Sequence, residues 1–202
     1  MRLRYVFTFL LLLTLIFSAS CFVHSSLAYQ DKDTEGVPNL LSNPGFNAYS
    51  LDPGEALLGW TVQSDGKDPE PATVVIDGKE ALQGSSSLRI DASDNTVTLL
   101  SDAFKVSRYG GYYTRLSAKC TEAKGPSITL RFVTFSQSGG IFSKDKSKLK
   151  TGKDWNKQSI SAGFNKPGVS FGRVQIIIPP FSSGSVWLDD AGCWEVHRFR
   201  ID

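Results

Sequence analysis

Histidine, cysteine and methionine are nearly absent from this chain, with two, three and one of each in 202 residues. The scarcity excludes several chemistries. His24 and His197, with Cys21, Cys120 and Cys193, show no zinc-ligand spacing. A Ser-His-Asp or Cys-His arrangement would have to depend on His197, close to the C-terminus, because His24 falls in the N-terminal leader read below. A glycine-rich phosphate loop and a dinucleotide fingerprint are also missing. No stretch carries a convincing helical period, which leaves helix bundles and doubly wound folds without support.

The N-terminus has a different composition. Arg2 and Arg4 precede an apolar run from Val6 to Phe17, and Ser26-Leu27-Ala28 supplies small residues for cleavage, so residues 1–28 read as an export signal. The run is too short for a comfortable membrane span. The expected location is secreted, extracellular or periplasmic. The alternative is a lipid anchor at Cys21, since Ser18-Ala19-Ser20-Cys21 resembles a lipobox; this would be the chain's one attachment to a membrane. Residues 29–38 read as a polar, flexible lead-in, and residues 39–202 as one domain.

Past the leader the 20 acidic residues are balanced by as many basic ones, so overall charge predicts no nucleic-acid partner. Cys120 and Cys193 remain, in a compartment where disulfides persist. A bridge between them would contribute about 4 kcal/mol in the chain-entropy model, but sequence does not show whether they meet.

Short runs rich in Val, Ile, Thr, Phe and Tyr alternate with Gly, Pro, Ser and Asp clusters, a pattern of strands and turns. Strands are expected over Leu40 to Phe46, Gly59 to Val62, Thr73 to Asp77, Ser86 to Asp91, Thr96 to Val106, Tyr112 to Cys120, Ser127 to Phe135, Gln158 to Phe164, Arg173 to Ile178 and Ser185 to Val196. Ten short strands without helices make an all-β sandwich or barrel. The first and last of them are expected to pair. Gln137 to Lys153 reads as the longest loop, solvated, with contact between its lysines and an acidic glycan or a membrane surface as the alternative.

Several segments carry a resemblance. Asn39-Leu40-Leu41-Ser42-Asn43-Pro44-Gly45-Phe46, Gly59-Trp60, Ala81-Leu82-Gln83-Gly84-Ser85-Ser86-Ser87-Leu88-Arg89-Ile90, Gly111-Tyr112-Tyr113, Trp155 and Val186-Trp187-Leu188-Asp189-Asp190 follow one another at suitable spacing. Together they resemble the galactose-binding-like jelly-roll domains, and in particular the carbohydrate-binding modules appended to cellulases and xylanases. The resemblance implies a jelly-roll β-sandwich of two antiparallel sheets and a non-catalytic, monomeric carbohydrate binder. An extracellular structural or adhesive module, with a protein or envelope partner, is the alternative. The resemblance also implies a structural calcium held by Asp189, carbonyls around Gly84, and Asn47 where the family usually has Glu. The competing reading has Asp189 and Asp190 capping backbone N–H groups at a strand bend. Trp60 and Trp155 occupy positions that fill the core in the family.

Strand parity nominates the ligand face. If the strands of Leu88, Tyr112, Ile128 and Val174 share a sheet, as jelly-roll order implies, Arg89, Tyr113, Arg115, Arg131, Phe135 and Gln175 face outward together. An aromatic platform with flanking hydrogen-bonding groups suits a sugar. Three arginines would also suit a carboxylate-bearing one. Asp189 and Asp190, adjacent on a strand, would point to opposite faces, which does not fit a glycosidase pair.

Overall fold

The computed structural model describes residues 28–49, 57–66, 69–163 and 165–199. All of the expected export signal but Ala28, Cys21 included, lies outside them, and none of the described helices is long and apolar enough to cross a membrane.

Eleven strands form two antiparallel sheets, the jelly-roll sandwich that the residues led us to expect. They are β1 (Trp60–Gly66), β2 (Val74–Asp77), β3 (Ser87–Ser93), β4 (Asn95–Ser101), β5 (Phe104–Lys105), β6 (Gly110–Cys120), β7 (Ser127–Ser136), β8 (Ile141–Lys150), β9 (Asn156–Gly163), β10 (Val169–Ile178) and β11 (Phe181–Arg198). One sheet runs β1-β4-β10-β7-β8, with β5 also pairing β10; the other runs β2-β3-β11-β6-β9. Alternating side chains from both sheets meet between them. Leu88, Ile90, Tyr112, Leu116, Val186 and Leu188 of the five-stranded sheet oppose Val97, Leu99, Ile128, Leu130, Phe132 and Ile176 of the six-stranded sheet, all essentially inaccessible. Burying each such side chain contributes about 1.5–3 kcal/mol before chain entropy is set against it.

The segment from Leu40 to Phe46 is not a strand. Asn43 and Phe46 have positive φ (52° and 49°), and Pro44 has no N–H to give to a ladder. The segment still closes the fold against β11, partly through side-chain bonds. Leu40 N–H donates to Cys193 O (2.8 Å), Ala191 N–H to Pro44 O (3.0 Å) and Cys193 N–H to Asn39 Oδ1 (3.0 Å). Phe46 then packs on Trp60 in the core, with centroids 5.0 Å apart. The expected strand from Thr96 to Val106 is interrupted at Asp102 and Ala103, and its two pieces pair with successive parts of β10.

Two other expectations fail. The Gln137–Lys153 loop is largely β8, an edge strand whose only fully buried side chain is Leu149, opposite Ile128. An edge strand with so little to bury shows no apolar alternation. Cys120 and Cys193 do not pair: both are free and buried. Cys193 lies opposite Thr114 in the β6–β11 register, six residues along β6 from Cys120. At about 3.3 Å per residue this is about 20 Å, against the 4.4–6.8 Å that a disulfide spans. Cys193 instead accepts a hydrogen bond from Thr114 Oγ1 at 3.3 Å, and burial pushes its thiol up to about 12.

The lead-in is anchored rather than free. Residues 28–40 lie over the outer face of the five-stranded sheet through a short 3-10 helix, Asp31–Thr34. Tyr29 N–H donates to Ser161 Oγ (2.9 Å), and the Tyr29 ring packs against Gly111, where a Cβ would collide with its hydroxyl.

Candidate functional site

Topology separates the six residues that strand parity grouped. β3 and β6 belong to one sheet, β7 and β10 to the other, so Arg89, Tyr113 and Arg115 share no face with Arg131, Phe135 and Gln175. Parity fixes which side of a strand a residue occupies; it says nothing of which sheet the strand joins.

On the outer face of the five-stranded sheet the three residues are engaged with the protein itself. The Tyr113 hydroxyl donates to Asp31 Oδ1 (2.9 Å), and its ring, 3% exposed, stacks beside Trp194. The Arg115 guanidinium lies between Asp31 (3.0 Å) and Asp190 (2.6 Å), with its carbon 4.9 Å from the centre of the Trp194 ring. Lys157 also bonds Asp31; that contact, with those of Arg115 and Tyr113, brings the Asp31 carboxyl down to about 2. Arg89 pairs with Asp91 (3.1 Å) and Asp77 (3.6 Å). Lys119 pairs with Glu80 and lies between the rings of Trp187 and Trp155, at 5.2 and 5.7 Å. Trp155 is therefore half-buried on this face rather than in the core. Arg89, Arg115, Lys119 and Lys157 thus each have a carboxylate partner.

The other three residues do come together. On the outer face of the six-stranded sheet, Gln175 and Arg131 are register partners across β10 and β7, and Arg131 Nη1 donates to Gln175 Oε1 at 3.1 Å. Next along these strands Arg173 lies opposite Val133, and its Nη1 donates to the Ser101 carbonyl (2.8 Å). Beyond that pair, Phe135 and Phe171 lie opposite one another, stacked at 4.8 Å with 9° between their planes. The row combines donors and an amide, which can serve sugar hydroxyls, with an apolar patch formed by two stacked rings. Sequence reasoning missed Phe171 and Arg173. The strand was started at Arg173, whereas β10 begins at Val169, four residues earlier; extending the parity of Gln175 backwards would have found both.

The calcium residues fare differently. Asp189 is fully buried, but its oxygens receive N–H groups: Oδ2 from Leu82 (2.8 Å) and Gln83 (2.9 Å), and Oδ1 from Asp190 (2.7 Å). Asn47 uses its backbone N–H to bond Asn43 Oδ1 (2.8 Å), and Gly84 turns the loop with φ 68°. A calcium cage needs six to eight oxygens around one point. Among the described residues no three His, Cys, Asp or Glu side chains are placed to hold a metal. These three bonds make Asp189 a carboxylate that caps backbone amides, as the competing reading of these residues expects. A bulge between Asp189 and Gly192, with Asp190 at φ 52°, also breaks the alternation expected of the two carboxylates, and both line one small cavity with Arg115 and Trp194.

No protein-family model and no curated protein matches the sequence. Solved structures do match in fold. One is the enzymatically active domain of tailspike protein 4 of bacteriophage CBA120, with a TM-score of 0.63 and 13% identity over 77% of this chain, which spans only 21% of that one. Another is TmCBM61, solved in complex with β-1,4-galactotriose, with a TM-score of 0.57 and 19% identity over 78% of this chain and 99% of the other. A third is the CBM22-1 xylan-binding domain of Paenibacillus barcinonensis Xyn10C, with a TM-score of 0.53 and 15% identity over 81% and 97% of the two chains. At these identities the likeness is one of fold, and the fold is the β-sandwich of carbohydrate-binding modules.

Proposed function

We propose that this protein binds carbohydrate, without catalysing a reaction on it, through the outer face of its six-stranded sheet. The observation that carries the reading is the row formed by the Arg131–Gln175 pair, Arg173 and the stacked Phe135 and Phe171 rings. The fold supports it, since modules of similar structure include a galactotriose complex and a xylan-binding domain. The five-stranded sheet offers less, because its polar groups bond one another and the lead-in covers Tyr113 and Arg115.

The His197 ring packs edge-on against Phe199, 4.6 Å between centroids. In this reading the protein is exported, by virtue of residues 1–28, and acts as a monomer. The test is affinity electrophoresis of the exported protein in gels containing galactan, xylan, mannan or polygalacturonate. Retardation in at least one gel, lost in Phe135→Ala and kept in Arg89→Ala, supports the reading. Migration unchanged in every gel rejects it.

A further inference from the structure

The two outer faces treat their cations in opposite ways. On the five-stranded sheet Arg89, Arg115, Lys119 and Lys157 each pair with a carboxylate. On the six-stranded sheet Lys144, Lys146 and Lys148 of β8 lie opposite Val133, Arg131 and Thr129 of β7, and Arg173 and Gln175 of β10 continue two of these rows. Lys105 of β5 lies opposite Phe171. None of these six cations, Arg131 included, has a carboxylate within ion-pair distance among the described residues. The outward positions of β4, β5, β7, β8 and β10 contain no Asp or Glu, and Asp65, exposed at the far end of β1 opposite Thr96, is the one outward carboxylate in the strands of this sheet; Asp145 is on the alternate parity of β8, opposite core residue Phe132. This face gathers six cations without a carboxylate partner, whereas the arginines and lysines of the opposite sheet's strands named above are each paired.

Lysines on an edge strand are a known guard against edge-to-edge association. That role accounts for part of β8 and leaves the interior strands unexplained. Arg131 and Arg173 stand on β7 and β10, each flanked on both sides, and Arg131 faces Lys146 directly across the ladder. Like charges directly opposite each other weaken a sheet. A polyanion laid over the rows would relieve the repulsion at all of them at once, and the lysines, about 7 Å apart along β8, would meet successive charges of a polymer.

We infer that the ligand of this face is an anionic polysaccharide, one carrying carboxylate or sulfate groups, with β8 as an electrostatic rail beside the Arg131, Gln175 and Phe135–Phe171 row. The inference rests on the carbohydrate reading of the same face. Guanidinium groups pair with the acid groups in bidentate geometry, lysines act as point charges, and the rings cover an apolar sugar face.

The experiment compares three proteins by affinity electrophoresis and titration calorimetry: the natural chain, K144S/K146S/K148S, and K32S/K79S/K166S, which removes the same charge at exposed positions elsewhere. Probes are polygalacturonate, dextran sulfate, neutral galactan and xylan, duplex DNA, and phosphatidylserine vesicles. The inference expects binding to polygalacturonate or dextran sulfate that weakens about tenfold or more between 50 and 300 mM NaCl, as screened charges require. It expects a loss of about tenfold in the β8 variant and little change in the other. Single K146Q, at an exposed site that cannot disturb folding, should lose about threefold, which guards against misfolding of the triple variant. Salt-insensitive binding to neutral glycans alone overturns the inference and leaves the carbohydrate reading standing. Binding to no glycan overturns both. Equal loss in the two triple variants, or tighter binding to DNA or vesicles than to either anionic glycan, also overturns it.

Discussion

Replacing Asp189 by Ala would remove a carboxylate that is fully buried and accepts three backbone N–H bonds, two from the Leu82–Gln83 loop and one from Asp190. Hydrogen bonds to an ionised acceptor contribute about 1.5–3 kcal/mol each. Leu82 and Gln83 have exposed side chains, so water reaches their amides once the carboxylate is gone, and the low end of the range applies. Three bonds at that value give a loss of about 4.5 kcal/mol, a large part of the roughly 5–15 kcal/mol that keeps a typical domain folded. With a urea slope of about 2 kcal/mol/M the unfolding midpoint should fall by about 2 M. Asp189→Asn keeps one acceptor oxygen but turns an NH2 group towards backbone donors, and should fall in between. Because the carboxylate is occupied by amides, EDTA should not move the midpoint of the natural protein. A midpoint within 0.5 M of the natural one for Asp189→Ala, or a fall on chelation, would refute the capping account, and the latter would restore the calcium that the family resemblance implied.

Asp31 links the lead-in to the sheet, and its bonds to Lys157, Arg115 and Tyr113 hold its carboxyl at about 2, below the usual 3.8. A depressed carboxylate contributes stability that is present above about pH 4 and lost as pH falls towards 2. Its side chain is 41% exposed, so after solvent screening the expected contribution is about 1 kcal/mol. Denaturation of Asp31→Asn between pH 2 and 5 should show a correspondingly shallower acid dependence, and an unchanged slope would contradict the assignment. Tyr29 buries its hydroxyl without a hydrogen-bond partner among the described residues. Tyr29→Phe should therefore raise stability by about 1 kcal/mol, measured by urea titration; a loss of that size would show that the hydroxyl has a partner. Alkylation of unfolded protein, with no reductant present, should label both Cys120 and Cys193, and any Cys120–Cys193 cross-linked peptide in the digest would contradict the structure.

The core was legible because burial on one side imposes a period of two: Leu88 and Ile90, Leu116 and Ala118, Ile128, Leu130 and Phe132, Val174, Ile176 and Ile178 all point inward. Three features were not legible, each for its own reason. Sheet membership depends on which distant strands pair, and it divided Arg89, Tyr113 and Arg115 from Arg131, Phe135 and Gln175. β8 buries only Leu149 fully, so it lacked an apolar signal, yet lysines at 144, 146, 148 and 150 repeat with the period of a strand. For Asp189 the sequence leaves calcium ligation and amide capping both open, and the choice between amides and a cation depended on a loop conformation around Leu82 and Gln83 that composition does not encode.

The central claim is that the outer face of the six-stranded sheet is the glycan-binding surface. It is tested most directly by recording backbone amide NMR spectra of the protein while titrating in an oligosaccharide retained in the electrophoresis panel. The account predicts the largest shifts at Arg131, Val133 and Phe135 of β7 and at Phe171, Arg173 and Gln175 of β10, with β3, β6 and β11 little changed. Shifts concentrated around Lys119, Trp155 and Trp187 would contradict it and move the site to the opposite sheet.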